Sequence, residues 1–347
     1  MSAPWTSTRT LAVLGTGAAL PGEAISTEAL VDRITTRFGF RQARTALAVA
    51  QRMGIKQRHI SRAFDAARET ALSGQSNPAL AADAVRAALA AAGLSIGDVG
   101  YLIGHTTTPH RLLPGNIADV ADLLGYGGPH IELRQACTGF ANALMVATGL
   151  IATAPGRPVV IVGSETGSLF FDPSALGQDP GQIVNLVQMG DGAGAIVLAG
   201  TTAARRGGTI DSAWFGSIGL DRAPGISLEQ GARHFDHDYA PIRATGHRLF
   251  EAGTETAAAL GHDINGADWI IPHQVSGRIG EQVAAHLGFP AARAFVNADQ
   301  LGNTGSAAIW LALHALRETT IRTGERALVL GAEASKHMFG GLAYVHG

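Results

Sequence analysis

The chain repeats part of its own sequence at a fixed distance, and this repeat constrains the fold more than any other feature. The segment AAGLSIGDVGYLIGH ends at His105, and AALGHDINGADWIIPH ends at His273, 168 residues later. A second pair, RPVVIVGSE ending at Glu165 and ERALVLGAE ending at Glu333, has the same separation of 168 residues. Two independent anchors at one offset predict two similar halves that pack into one pseudo-symmetric body.

Apolar runs of strand length alternate with alanine-rich stretches of helical length, which indicates an α/β architecture with buried, mostly parallel strands. The predicted strands are Leu11–Leu14, Tyr101–Ile103, Ile131–Leu133, Val159–Val162, Ala195–Leu198, Trp269–Ile271, Ala294–Val296 and Ala327–Leu330. The predicted helices are Pro78–Ala92, Gly115–Leu124, Thr138–Ala152, Thr245–Leu260, Ser276–Leu287 and Gly305–Arg317. A polar connector, TTAARRGG, separates the two halves, which we assign to residues 1–200 and 201–347.

The composition excludes several classes of protein. Of 347 residues, 46% are hydrophobic and only 16% are charged, so the chain can bury a large core and is not intrinsically disordered. A net charge of −2 and the lack of a basic arm give no bulk attraction to nucleic acid or to an anionic membrane. No signal pattern or bilayer-length apolar run stands out, so we expect a soluble, cytoplasmic protein.

A single cysteine excludes an intramolecular disulfide framework and any cysteine-based metal cluster. The segment with His234, Asp236, His237 and Asp238 carries side chains that can bind metals, but it offers no further obvious ligand. We therefore expect no bound metal.

Cys137, the one cysteine, is the first candidate catalytic residue. It follows the strand-like IELRQA and precedes the helix-like TGFANALMVATGL. The free N–H groups and the positive dipole end at a helix N-terminus both favour thiolate, which is the nucleophilic form. A lone cysteine is more often a small buried hydrophobe, so the residues alone leave both interpretations open.

His273 and Asn303 are candidates because of where they stand in the pattern. His273 follows the strand WII, at the strand end where α/β proteins place ligand-handling groups, although a histidine satisfied in a turn is the commoner case. Asn303 precedes an apolar helix, where a capping or turn role is the alternative. The repeat maps Cys137 onto position 305, so the three side chains could converge from equivalent strand ends.

Two glycine clusters do not match nucleotide-binding loops. Gly15 and Gly17 are followed by Leu20 and Pro21, where the dinucleotide fingerprint needs a small residue. The segment MGDGAGA at 189–195 precedes a strand rather than a helix. We expect close backbone contacts at both clusters instead.

Three motifs, in order along the chain, resemble those of the β-ketoacyl-(acyl carrier protein) synthase III family. They are IELRQACTGFANAL with Cys137, IIPHQVSGRIG with His273 and NADQLGNTGSAA with Asn303. MGDGAGA and MGIKQRHI also resemble segments of this family, and the resemblance extends from about Leu11 to the C-terminus. It implies the thiolase fold, in which two pseudo-symmetric βαβαβ halves form a five-layered αβαβα sandwich, usually in a homodimer.

The resemblance also implies a reaction. Cys137 would take an acyl group from a thioester, and His273 Nε2 and Asn303 Nδ2 would donate hydrogen bonds to the thioester carbonyl of malonyl-(acyl carrier protein). Loss of CO₂ would leave an enolate that attacks the acyl-cysteine. The backbone N–H groups of Cys137 and of Gly341, in a turn at Gly340-Gly341, would form a second oxyanion hole. The product would be a β-ketoacyl thioester of fatty acid or specialised polyketide-type biosynthesis, with no resident cofactor.

Two arginines are assigned by the resemblance to substrate delivery. Arg52 in MGIKQRHI would lie on the pantetheine or CoA side. Relatives that are primed with acyl-CoA usually carry a tryptophan four residues earlier, where this chain has Ala48, which favours an acyl group delivered by a carrier protein. Arg278 matches a position that contacts carrier protein, with a solvated helix charge as the alternative. Arg134 and the segment 170–182 differ from housekeeping members and indicate a specialised pathway.

Three other functions remain open. Cysteine, histidine and asparagine occur in this order in papain-like proteases, but the sequence context of their nucleophile is missing here and the repeat would be unexplained. A cysteine-dependent acyltransferase that does not decarboxylate is the second. A non-catalytic partner subunit of a heterodimeric synthase is the third, although the chain retains all three candidate groups. A thiolase proper would need a second cysteine as its base.

Overall fold

The computed structural model describes residues 3–64, 75–201, 207–232 and 234–347. Its strands are β1 Trp5–Ser7, β2 Leu11–Ala19, β3 Ile25–Ser26, β4 Gln57–Arg58, β5 Tyr101–His105, β6 His130–Leu133, β7 Val159–Thr166, β8 Asp191–Gly200, β9 Thr209–Ser217, β10 Ile226–Ser227, β11 Asp236–His237, β12 Trp269–Pro272, β13 Arg326–Glu333 and β14 Met338–Val345. Its helices are α1 Thr27–Phe38, α2 Ala43–Met53, α3 Asn77–Ala92, α4 Asn116–Leu124, α5 Gly139–Thr153, α6 Gly181–Gln188, α7 Tyr239–Ala259, α8 Ile279–Leu287, α9 Ala298–Leu301 and α10 Ala308–Thr319. None of these helices is long and apolar enough to cross a membrane.

One sheet of ten strands runs through the described chain in the order β12-β13-β14-β9-β2-β8-β7-β5-β6, with β1 paired to β9. Each half of the chain supplies one half of the sheet, and the two half-sheets adjoin where β2 pairs with β9 over only two residues. The sheet is mixed, and our expectation of mostly parallel strands was wrong. Only β5-β6, β5-β7 and β12-β13 are parallel, because β8 and β14 each return antiparallel to the strand before them.

The helices are arranged in layers around the two half-sheets. Helices α5 and α10 contact strands of both halves and form the central layer. Helices α3 and α4 cover the outer face of the first half, and α7 and α8 cover that of the second. In the centre, Phe140 and Trp310 pack edge to face with their ring centroids 5.9 Å apart. This arrangement confirms the predicted five-layered αβαβα sandwich.

The internal repeat is visible in the structure. β5 and β12 begin 168 residues apart, at Tyr101 and Trp269, and the short 3₁₀ turns at Ile96–Asp98 and Ile264–Gly266 have the same offset. The predicted connector at 201–208 lies partly outside the described residues, so the boundary between the halves stays a prediction.

One predicted strand, Ala294–Val296, is not a strand in the structure. Its backbone forms a single bridge, between Ile270 and Ala294, and beyond it Asn297 N donates to the side-chain oxygen of Gln274 at 3.0 Å. The segment is too short and too strongly engaged by side chains to continue a ladder. The second half therefore lacks the edge strand that β6 provides in the first.

The glycine clusters make the expected close contacts. A Cβ atom on Gly15 or Gly17 would collide with the backbone of α3, and one on Gly194 would lie 2.6 Å from the Cβ of Trp310. The missing side chains let α3 and the central layer approach the sheet closely.

Candidate active site

A cavity of about 740 Å³ contains two of the three predicted catalytic residues, Cys137 and Asn303. Its size falls within the range of about 300–1,000 Å³ that is usual for small-molecule sites. The described residues that line it lie within 107–112, 134–137, 165–171, 185–189, 226–232, 235–237 and 303–305, together with Ser335. Apolar and aromatic side chains on one part of the wall and a few polar groups on another make it suitable for an acyl chain with a reactive end.

Cys137 lies two residues before α5, which begins at Gly139, and is only partly exposed. Burial raises the pKa of its thiol well above the usual range, and the carboxylates of Glu333 and Glu165 act in the same direction. A hydrogen bond to backbone lowers the pKa, but the other effects are larger. Burial and the two carboxylates therefore oppose the stabilisation of thiolate that the helix N-terminus is expected to give.

Glu333, the last residue of β13, adds to the effect of burial on this pKa. Its Oε2 accepts hydrogen bonds from Thr138 N at 2.9 Å and from Thr138 Oγ1 at 2.7 Å. Ser335 Oγ donates to its other oxygen. A carboxylate from the second half thus occupies the N-terminus of α5, next to the cysteine.

Glu165 of the first half makes the equivalent contact with the second half. Its Oε2 accepts from Ser306 N at 3.0 Å and from Ser306 Oγ at 2.8 Å, just before α10. Thr138 and Ser306 are themselves 168 residues apart, so the two contacts are equivalent. Neither glutamate was predicted as a site residue, although both end the repeat's second anchor.

Asn303 is held by backbone on both sides. Its N donates to Gln188 O at 2.6 Å and its O accepts from Gly190 N at 3.1 Å. Its side-chain Oδ1 accepts from Gly305 N at 3.0 Å. Because only the oxygen can accept that N–H, the amide orientation is fixed and Nδ2 remains as the donor for a ligand.

His273 directly follows β12, and its N donates to Leu330 O at 2.8 Å. Burial lowers the pKa of His273 to about 4, so the ring is neutral at neutral pH. Its Nδ1 is buried without a hydrogen-bond partner among the described residues. A proton on Nδ1 would be an unsatisfied buried donor, so the neutral tautomer with the proton on Nε2 is favoured.

The structure joins Cys137 and Asn303 on one cavity, but His273 is not among the described residues that line it. His105, its counterpart in the first half, is fully buried, and its Nε2 accepts from Trp310 Nε1 at 2.9 Å. His105 therefore has a packing role, and the shared site for Cys137, His273 and Asn303 remains a prediction.

The expected glycine turn at Gly340-Gly341 does not exist. Both residues lie inside β14, where Gly341 is opposite Leu330 of β13 and Trp214 of β9. The turn lies earlier, between β13 and β14, and Ser335 of that turn lines the cavity. The oxyanion-hole role of Gly341 therefore stays a prediction.

The two predicted delivery residues lie on one surface beside the end of α2. Arg52 occupies the last turn of α2, and Arg278 precedes α8; both side chains are exposed. Gly277 N donates to Met53 O at 2.9 Å. A Cβ on Gly54 would lie 3.1 Å from Arg278 Cγ, so the ends of α2 and α8 are in direct contact.

Two further predictions concern metals and assembly. Within the described ranges no group of three or more His, Cys, Asp or Glu side chains is arranged to hold a metal ion, and His234 forms a 3.5 Å pair with Asp236. Leu112 lines the cavity and is 67% exposed, and the adjacent Leu113 is 87% exposed. The predicted homodimer could cover these leucines, and it stays a prediction.

Comparison with known proteins supports the family resemblance that the motifs indicate. The family described as 3-Oxoacyl-[acyl-carrier-protein (ACP)] synthase III matches residues 131–217, and its C-terminal region matches 257–341. Beta-ketoacyl-[acyl-carrier-protein] synthase III of Sphingopyxis alaskensis is 31% identical over 336 residues, covering 92% of this chain and 94% of the relative.

Two solved structures share the fold over nearly the whole chain. The tetronic acid condensing enzyme AbyA1 has a TM-score of 0.83 at 27% identity, covering 96% of this chain and 99% of its own. The synthase III FabH from Pseudomonas aeruginosa PAO1 has a TM-score of 0.77 at 27% identity, covering 97% of this chain and 98% of its own. With this fold, these motifs and this degree of identity, the chain belongs to the β-ketoacyl-(acyl carrier protein) synthase III family of acyl-transferring condensing enzymes.

Proposed function

We propose that the protein transfers an acyl group to Cys137 and then condenses it with malonyl-(acyl carrier protein), with loss of CO₂. The thiolate attacks the acyl thioester, and the leaving thiol takes up the proton that Cys137 gives up. Malonyl then loses CO₂, and the electron pair of the broken bond forms an enolate. The enolate carbon attacks the acyl-cysteine carbonyl, expels the cysteine sulfur and gives a β-ketoacyl thioester.

The observation that carries this proposal is the amide of Asn303. It lies on the same cavity as Cys137, and its oxygen is bound by Gly305 N. The amide N–H groups are therefore the part that can meet an oxyanion, which is the role that enolate formation requires. A neutral His273 with its proton on Nε2 would supply a second donor of the same kind.

Neither His273 nor Glu165 is suited to act as a strong base, which favours decarboxylation over proton abstraction as the source of the carbanion. Burial lowers the pKa of His273 to about 4, which makes its neutral ring a weak base. The buried carboxylate of Glu165 accepts from Thr107 N, Thr107 Oγ1 and the Ser306 donors, so its lone pairs are already used. Decarboxylation forms the enolate without any of these groups removing a proton from carbon.

The cavity wall fits the acyl substrate. Its apolar side chains include Phe170, Phe171, Leu228 and Phe235, and burying each CH₂ of an acyl chain against them contributes about 0.8 kcal/mol. We therefore expect an acyl group with a substantial apolar part.

The test is a malonyl-dependent assay with radiolabelled carboxyl carbon. The purified protein is incubated with a panel of acyl thioesters and malonyl-(acyl carrier protein), and labelled CO₂ and β-ketoacyl product are both measured. We expect CO₂ release coupled to product. Acyl transfer without CO₂ release would instead identify an acyltransferase that does not decarboxylate. If the protein shows neither acylation nor CO₂ release with any donor, the result would favour a non-catalytic partner subunit.

The exposed arginines beside α2 support delivery by a carrier protein, because a positive patch attracts a partner that carries negative charge. Replacing Arg278 with glutamate should raise the KM for malonyl-(acyl carrier protein) by about tenfold, since the reversed charge repels the acidic partner. The KM for malonyl-pantetheine, which has no protein part, should not change. The matched control is Arg322→Glu, which reverses an exposed charge in the loop before β13. Equal effects on both substrates would place Arg278 outside the docking surface.

A further inference from the structure

The two glutamates that end the repeat are the buried charged groups beside Cys137 that the proposed reaction does not use. Glu333 is 2% exposed and Glu165 is 5% exposed. Each reaches from one half to the residues that begin a central helix of the other half. The crossed arrangement ties the two halves together around the cysteine, and the two contacts differ in how near they lie to the nucleophile.

Of the two glutamates, Glu333 is the one whose hydrogen-bond partner, Thr138, directly follows Cys137 in the chain. Both the N–H and the hydroxyl of Thr138 donate to one of its oxygens, at 2.9 and 2.7 Å. The free N–H groups and the dipole at the start of α5 would otherwise stabilise a negative sulfur. A resident carboxylate uses one of those donors and offsets the positive end of the dipole.

The cations around the cavity do not restore the lost stabilisation. Arg134 lines the cavity but pairs with Glu132 at 3.2 Å, and Arg111 pairs with Asp119 at 3.2 Å. The remaining titratable groups on the wall are His110, His237, Glu229 and Glu165. Burial lowers the pKa of His237 to about 4, so it is uncharged at neutral pH.

We propose that Glu333 is a positioning residue for Cys137, which fixes the nucleophile at the start of α5 through Thr138 and keeps the resting sulfur weakly reactive. This inference rests on the proposed role of Cys137 as the nucleophile. The single thiol should then react slowly with other electrophiles, whereas a bound thioester substrate gains the hydrogen bonds of the oxyanion hole.

Glutamine at position 333 is a suitable test because it keeps the shape and the hydrogen bonds. Its amide oxygen can accept from both Thr138 donors, and its NH₂ can donate to Ser335 Oγ, whose hydroxyl can turn to accept. Only the charge is lost. Glu333→Asp keeps the charge on a shorter side chain, and Glu281→Gln removes an exposed carboxylate from α8 as a control.

The experiment measures alkylation of the thiol by iodoacetamide between pH 6 and 10, read by intact-protein mass. Because the chain has one cysteine, each adduct reports on Cys137. The wild-type midpoint should lie above about 8.5, the usual value for a cysteine thiol. Glu333→Gln should lower it by about one pH unit and speed alkylation at pH 7 about tenfold. Glu333→Asp and Glu281→Gln should keep the wild-type midpoint.

Three results would overturn the proposal: a wild-type midpoint at or below about 8.5, an unchanged midpoint in folded Glu333→Gln, or an equal shift in Glu333→Asp. If Glu333→Gln does not fold, a wild-type midpoint at or below about 8.5 or a lowered midpoint in Glu333→Asp still overturns the proposal. Alkylation requires no turnover, so a protein that fails the malonyl assay can still show the shift, and the two proposals fail separately.

Discussion

Replacing Cys137 with serine is expected to abolish formation of the acyl-enzyme. The serine hydroxyl is a much weaker acid than the thiol, and a serine nucleophile needs an adjacent base. Neither of the two buried candidates supplies one, because Glu165 is saturated with hydrogen bonds and His273 is not among the described residues of the cavity wall. Acylation should fall by at least about a thousandfold, as it does when a nucleophile acting as part of a unit is removed.

Intact-protein mass spectrometry after incubation with acyl donors measures this loss directly. The wild-type adduct should be removed by neutral hydroxylamine, which cleaves thioesters, and Cys137→Ser should carry no adduct. Ser335→Ala, which changes another cavity residue, serves as the matched control and should still be acylated. An acyl adduct that forms on Cys137→Ser as fast as on the wild type would show that acylation does not need the cysteine sulfur, and the proposed first step would be wrong.

Much of the fold could be predicted because it depends on local patterns. The apolar runs behind β5, β7 and β13 are buried on both faces, and such runs are recognisable without tertiary information. β9 and β14 were not predicted, because TIDSAWFGS and MFGGLAYV mix small, polar and aromatic residues. Their strand state comes from pairing with each other and with β13, which is a long-range effect.

The helices missed by the sequence analysis have a different explanation. In α1, the buried residues Thr27, Leu30, Val31 and Ile34 follow helical spacing, but the charged residues between them make a weak apolar signal. α1, α2 and α6 pack together in a separate small core. Such a core on the outside of the sandwich has no counterpart in the repeat, so the repeat could not indicate it.

The candidate site shows the same division between local and long-range information. Position just before an apolar helix, together with the offset of the repeat, was enough to select Cys137 and Asn303, and both line the cavity. Burial has the largest effect on the pKa of Cys137, and Glu333, 196 positions further along the chain by its number and in the other half, acts in the same direction. A dipole argument from the adjoining helix could include neither that charge nor the burial of the thiol, and both oppose the expected stabilisation of thiolate.

Removing either proposed oxyanion donor is expected to separate the two chemical steps. His273→Ala and Asn303→Ala should each retain acylation of Cys137 while condensation falls by about 10²–10³, the usual effect of losing one such donor. Stopped-flow acylation and steady-state β-ketoacyl formation measure the steps independently. Equal losses in both steps for His273→Ala would mean that the ring activates the thiol instead of stabilising the enolate.

Asn303→Asp sharpens this prediction, because it changes the chemistry of one atom. The carboxylate can still accept from Gly305 N, as Oδ1 does now at 3.0 Å, but the donor at the other position becomes a negatively charged acceptor. A developing enolate would be repelled rather than bound, so the loss should exceed that of Asn303→Ala. If Asn303→Asp condenses as fast as the wild type, the amide cannot be the group that meets the oxyanion.

The pH profile gives an independent check on the histidine. Burial lowers the pKa of His273 to about 4, so the ring stays neutral as the pH falls from 8 towards 5 and protonates only below that range. Malonyl decarboxylation by the wild type should therefore show no inflection near the usual histidine value of about 6.5. Acylation should still rise with pH through the high pKa of Cys137, since that step alone requires the thiolate. A shared inflection in both steps would assign them to one titrating group, and the division of labour between sulfur and donors would not hold.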